Sequence, residues 1–182
     1  MNDIIEIPIS KNKIFLGIGA SIIFIILGIW TYINANEFHD SVIVIFRNPL
    51  INRGFGILGI LFFGATGIYG IKKVFDKKVG LRIDSNGITD NSNASSIGLI
   101  EWNDITEIRT KQVMSTKFLL IYIVNPEKYI EKAKNGMKAK LLRTNMKMYG
   151  TPLSLTSNTL KYDFVELKEL IQIEFENNKN AR

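Results

Sequence analysis

Two stretches without a charged residue constrain this chain more than any other feature. Ile14 to Ile33 runs 20 residues and Gly54 to Ile71 another 18. At about 1.5 Å per helical residue these lengths nearly match a hydrocarbon core of about 30 Å, so each reads as a membrane-spanning helix. The pair predicts a two-helix membrane hairpin within residues 1–74 and leaves 75–182 for a separate domain. Lys11 and Lys13 imitate the charged lead of a signal peptide, but the apolar run exceeds an h-region of roughly 7–15 residues and a second run follows, so the expectation is a retained anchor.

Lys11, Lys13, Lys72, Lys73, Lys77 and Lys78 flank the outer ends of the hairpin, whereas Arg47 and Arg53 are the only lysine or arginine residues of the 34–53 connection. That imbalance predicts both termini on the cytoplasmic side. Trp30 and Tyr32 then belong at the far interface, Phe15 and Tyr69 at the near one. No acidic, basic or imidazole group lies inside either span, which argues against a transporter acting alone. Small residues recur at helical spacing, Gly17, Ala20, Ser21, Gly28 and Thr31 in the first span and Gly56, Gly59, Gly67 and Gly70 in the second. Interrupted by Phe24 and Phe63, they predict a close-packed hairpin within one chain, with a homodimer through the same faces as the alternative.

The chain has no cysteine and a single histidine, His39. Disulfides, a thiol nucleophile and cysteine-based metal centres are excluded, and neither metal nor cofactor is expected. Gly54-Phe55-Gly56-Ile57-Leu58-Gly59 spells a dinucleotide fingerprint in the wrong context, since no strand runs into it and the helix after it is apolar all round. His39 beside Asp40 reads as a solvated loop residue, and Val42 to Phe46 as a short strand or interfacial segment.

Beyond Lys78, Leu81, Ile83, Asn86-Gly87 and Ile88 predict a hairpin with a primed turn. A polar loop, Asp90 to Ser96, precedes a strand from Ile97 to Trp102; its Asn93-Ala94-Ser95 is a glycosylation triplet only by coincidence if it faces the cytoplasm. Asn103 or Asp104 is expected to cap a short turn, and Phe118 to Val124, apolar on both parities, reads as a strand covered on both faces. Asn125, Pro126 and Glu127 start a helix that ends near Asn135-Gly136 with glycine as left-handed cap, and a second helix runs from Met137 to Tyr149. Strands at Leu153 to Thr156 and Thr159 to Tyr162 follow. A terminal helix begins at Asp163 with Glu166 in a capping box and buries Phe164, Leu167, Leu170, Ile171 and Phe175, with a frayed tail from Asn177.

Charge is concentrated in the helical insert 126–149, which is +5 in a chain that totals +6. In its second helix Lys140, Arg143 and Lys147 cluster on one side, and Met137, Leu141, Leu142, Met146, Met148 and Tyr149 fill a broad opposite half. Together with Lys128 and Lys132 these cations are candidate contacts for anionic lipid at the membrane surface, at about 1 kcal/mol per residue. The equally weighted alternative is that the apolar half packs on the sheet and the cations are solvated. Nucleic acid is not expected as a partner, because no aromatic stacking residues are interleaved with the basic ones.

Short antiparallel strands closed by one amphipathic helix suggest an α+β domain, a small barrel or bent sheet with a helical insert and a capping helix. The turn Asn86-Gly87-Ile88 followed by Ile100-Glu101-Trp102-Asn103-Asp104-Ile105 resembles the bacterial pleckstrin-homology-like domains. With Phe75-Asp76-Lys77-Lys78, Ile97-Gly98-Leu99-Ile100, Asn125-Pro126-Glu127-Lys128-Tyr129-Ile130 and Tyr149-Gly150-Thr151-Pro152, nearly the entire chain is similar to a bacterial family of two-span membrane proteins bearing such a domain. The insert departs from the usual plan. The resemblance implies a binding module at the inner membrane, with no activity carried over. Trp102, Asp104 and Gly87 read as a core anchor, a turn cap and a turn glycine. No nucleophile, base and orienting group combine into a catalytic set, and Glu166 and Glu169 fit a solvent face. The expected function is therefore a non-enzymatic, membrane-anchored module for anionic lipid or a protein partner. The alternative is a regulatory subunit of a transport complex, or a membrane immunity or stress protein.

Overall fold

A computed structural model describes residues 4–133 and 135–180. They form two compact units, residues 11–77 and residues 4–10 with 78–180. In the first, helix α1 spans Lys11–Ile33 and α2 spans Pro49–Val74, which at about 1.5 Å per residue are roughly 35 and 39 Å long. Both are long and apolar enough to cross a membrane. Each extends past its uncharged run, α1 to include Lys11 and Lys13 and α2 to include Arg53, Lys72 and Lys73. The glycines of Gly54 to Gly59 lie inside α2, with no strand before them.

The two helices touch where backbone meets backbone. A Cβ built at Gly28 would stand 3.0 Å from the Gly56 carbonyl oxygen, and one at Gly56 only 2.7 Å from that of Gly28. Gly67 faces Ser21, Gly70 abuts Ile18, and the rings of Phe24 and Phe63 stack at 4.3 Å. The contact seam is thus narrower than the small-residue pattern predicts. Gly17 and Gly59 have open space beside them and Ala20 is exposed, because the buried face of α1 recurs every seven residues, at Ile14, Ser21 and Gly28, and leaves Gly17 and Ala20 off it. The connection forms two turns of 3₁₀ helix, Ala35–Asp40 and Val44–Arg47, instead of a strand. Buried Asn52 ties it down by donating to the carbonyls of Ala35 and Phe46 at 3.2 and 2.6 Å.

The second unit opens with a strand that the hairpin assignment of 1–74 does not anticipate. β1 (Ile5–Ile7) pairs antiparallel with β2 (Leu81–Asp84), which pairs with β3 (Gly87–Asp90), which pairs with β4 (Gly98–Glu101). Residues 4–10 therefore belong with the sheets. A 3₁₀ turn, Trp102–Asp104, leads to β5 (Ile105–Val113), which pairs with β6 (Thr116–Ile123). Leu119, Leu120 and Ile121 are buried in succession, as an unbroken apolar run demands of a strand covered on both faces. Helices α3 (Pro126–Glu131) and α4 (Gly136–Tyr149) intervene before β7 (Leu153–Leu155) joins β6, and α5 (Phe164–Asn180) ends the fold.

The unit is mixed α and β, but its two antiparallel sheets do not close into a barrel. Among the described residues no ladder joins them. Where a further strand at Thr159 to Tyr162 was expected, a turn is held by the single bridge Ile9↔Leu160, flanked by Ser10 N–H to Thr159 O and Lys161 N–H to Pro8 O at 2.8 and 2.9 Å. One continuous core nevertheless links Ile7, Ile83, Ile88, Trp102, Ile121, Tyr129, Leu142, Leu155 and the α5 residues Phe164, Leu167, Ile171 and Phe175. Asp163 accepts from the Val165 N–H at 2.7 Å at the start of α5, whose helical backbone continues through the expected frayed tail to Asn180.

Two glycines act differently from their expected roles. The β2–β3 turn is Ser85-Asn86, and Gly87 is the first residue of β3; a Cβ there would collide with the Ile100 carbonyl. Close approach of β4, not a primed turn, requires it. Gly136 begins α4, because Asn135 accepts from the Lys138 N–H at 2.8 Å and so caps the new helix instead of ending the old one. The left-handed cap falls at Gly150, with φ of 76°.

Candidate functional site

The five cations expected to act together are divided by the fold. Asn125 caps α3 and Pro126 occupies its first turn, which turns Lys128 and Tyr129 toward the 3₁₀ turn at Trp102–Asp104. Lys128 Nζ lies 2.7 Å from Asp104 Oδ2 and 3.0 Å from Glu101 Oε1, and Lys132 Nζ lies 3.7 Å from the same Glu101 oxygen and 4.5 Å over the Tyr129 ring. These two lysines are spent on the protein's own carboxylates. Asp104 is no turn cap either, since its carboxylate reaches across to α3 and only its carbonyl serves the backbone, accepting from Val124 N–H.

Burial opposes ionisation of Asp104, but hydrogen bonds from Lys128 and Tyr129 outweigh it and hold the carboxyl below its ordinary value. Hydrogen bonds to Asp104 and Glu101 in turn push the Lys128 ammonium up, while burial and then the bond to Asp104 push up the Tyr129 hydroxyl. Each of these groups is paired with another of the cluster. Trp102 is buried with its indole N–H donating to the Asp84 carbonyl at 2.8 Å. It lines, with Asn86, Asn103, Glu101 and Asn178, a polar cavity of about 420 Å³.

Helix α4 is built otherwise. At about 100° per residue, Met137, Leu141 and Met148 fall within about 40° of one another, Lys140, Arg143 and Lys147 on the adjoining arc, and Leu142, Met146 and Tyr149 on the far side. The far side is the packed one. Leu142 is 1% exposed, the Tyr149 ring stacks on Phe118 at 6.5 Å, its carbonyl accepts from the Tyr122 hydroxyl at 2.9 Å, and Asn145 donates to the Pro152 carbonyl at 3.3 Å. The near side is bare: Met137 is 78% exposed, Met148 63% and Leu141 41%. Lys140, Arg143 and Lys147 are exposed and make no ion pair among the described residues.

The apolar half read from the sequence is therefore two faces, one for the sheet and one outward. Its breadth was the available signal, because a helix packed on one sheet needs an apolar arc of only about 100°. Tyr129 is the functional-looking residue that sequence reasoning passed over; its partner Asp104 is 25 residues earlier, a distance no local pattern reads. Compared with protein families, curated proteins and solved structures, the chain matches none.

Proposed function

We propose that this is a two-span membrane protein whose sheet unit is a non-enzymatic binding module that lays α4 on the anionic head groups of the cytoplasmic leaflet. The observation that carries the reading is the outward stripe Met137, Leu141 and Met148 bordered by Lys140, Arg143 and Lys147. An exposed apolar stripe beside unpaired cations is the pattern of a helix lying in the interface, its side chains entering the acyl boundary and its cations meeting lipid phosphates. The two apolar helices supply the tether, and the lysine excess at their outer ends supports both termini being cytoplasmic, at a bacterial inner membrane. Two antiparallel sheets followed by one packed helix agree with a pleckstrin-homology-like plan in outline.

The test uses the whole chain, because β1 is contributed from before α1. In nanodiscs containing phosphatidylglycerol, hydrogen exchange of α4 amides should be slower than in phosphatidylcholine. The triple change Lys140→Glu, Arg143→Glu and Lys147→Glu should abolish the difference, given about 1 kcal/mol per basic residue near an anionic surface. Equal exchange in both lipids would refute lipid docking.

A second reading is favoured by the glycines that the hairpin leaves uncovered. Gly17, Gly19, Gly59 and Gly64 have no atom within 4 Å of a built Cβ, so other helices can approach the spans closely, as in a subunit of a larger membrane complex. Single cysteines at Gly17 or Gly59 should then cross-link to another polypeptide in native membranes; recovery of the monomer alone would refute it.

A further inference from the structure

Strand β5 is an edge of its sheet. It is laddered to β6 and, among the described residues, to no other strand, so alternate N–H and C=O groups along its nine residues point away from the sheet. Ile105 is buried and Ile108 half-buried, while Thr106, Glu107 and every residue from Arg109 to Val113 are exposed. The register shifts at Thr106, and the regular ladder runs from Glu107 onward. Charges of one sign along an edge keep other strands away, but here the signs alternate. Glu107 and Arg109 stand two residues apart on one face, bonded to each other at 2.6 and 2.7 Å. That bond takes two of the five guanidinium N–H groups, and the two side chains stay 48% and 59% exposed.

We propose that β5 pairs antiparallel with β5 of a second copy of this chain, about a two-fold axis at Ile108. In that register Ile108 meets its own counterpart, Thr106 meets the second copy's Thr110, and each Glu107 lies opposite the second copy's Arg109. Apolar, threonine and opposite-charge pairs are all pairs that stabilise a ladder. Moving the centre by one residue in either direction sets Glu107 against Glu107 or Arg109 against Arg109, and like charges directly opposite destabilise it. Charge complementarity thus selects one register. The four charges then alternate in sign both along each strand and across the pair, so the bond between Glu107 and Arg109 within each chain is kept. Lys111 falls outside the overlap of residues 106–110. The contact is isologous and closes at two copies, because it uses the β5 edge of both. This pairing goes beyond lipid docking through α4 and does not depend on it.

The experiment measures sedimentation equilibrium of the full chain in detergent micelles, with hydrogen exchange followed across the same concentrations. The native chain should form a dimer as its concentration rises, and amides within residues 106–110 should exchange more slowly as the dimer fills. Glu107→Lys alone and Arg109→Glu alone each set two like-charged pairs opposite one another and should weaken the dimer by about tenfold or more. Mixed in equal amounts, those two variants restore opposite signs across the pair and should co-purify through a tag on only one of them. A general effect of either substitution on folding would not be rescued by mixing, and the exchange measurement on the native chain needs no variant. A native chain that stays monomeric, or a dimer whose 106–110 amides exchange as fast as the monomer's, overturns the proposal. So does a dimer indifferent to both reversals, which would place the contact elsewhere, for instance on the spans.

Discussion

The Tyr129 hydroxyl donates to Asp104 Oδ2 at 2.5 Å and accepts from the Glu101 N–H at 3.1 Å, so one buried phenol joins α3 to the end of β4 and to the turn after it. Removing it leaves a carboxylate and a backbone N–H short of a partner. Tyr129→Phe should cost about 1–3 kcal/mol, read as a lower midpoint in urea or thermal unfolding of the reconstituted chain.

Asp104 gives that junction a pH dependence whose sign is fixed. Its folded pKa lies below the ordinary 3.8, so its contribution is fully present above about pH 4 and is lost as pH falls through the folded value. The Lys128 pKa is raised above 10.5, which keeps its contribution intact throughout the neutral range. Asp104→Asn should therefore destabilise the protein between about pH 5 and 9, and the gap from the native chain should shrink steadily below pH 4. A gap independent of pH would mean that the carboxylate charge has no part in the junction.

The two glycines that flank β4 pairing should respond unequally to alanine. Gly87→Ala drives a methyl into the Ile100 carbonyl and should cost roughly 2–3 kcal/mol. Gly98, at φ of 84° but with open space around it, should cost only the left-handed penalty of about 1–2 kcal/mol. Unfolding midpoints of the two variants give the order directly.

In the hairpin, a Cβ at Gly67 would stand 3.5 Å from that of Ser21, within the span a disulfide needs. Because the native chain has no cysteine, the pair Ser21→Cys with Gly67→Cys should oxidise to an intrachain bridge detected by gel mobility. Gly17→Cys with Gly59→Cys should not, since neither position meets the other helix.

These relationships differ in how far the sequence discloses them. The two long apolar helices are legible because each carries an uncharged run of about their length, and α3, α4 and α5 because Asn125-Pro126, Gly150 and Asp163 mark ends by local chemistry. β1 is not: Ile5-Glu6-Ile7 is three residues long, and its partners, Leu81 to Ile83, lie beyond both spans. The missing strand at 159–162 fails for the converse reason, since apolar Leu160 is buried by a bridge to Ile9 without a ladder. The basic insert shows its charge but not its division, because only the tertiary position of Glu101 and Asp104 reveals that Lys128 and Lys132 are engaged while Lys140, Arg143 and Lys147 face outward.

If the bare face of α4 meets lipid, a single probe on that face reads it. A spin label on Met148→Cys, in an otherwise cysteine-free chain, should become more accessible to oxygen than to a water-soluble nickel chelate when phosphatidylcholine nanodiscs are replaced by phosphatidylglycerol ones, while a label on Asn145→Cys, on the packed side, should not change. A label at 148 equally exposed to the aqueous reagent in both lipids would mean that this face of α4 does not touch the bilayer.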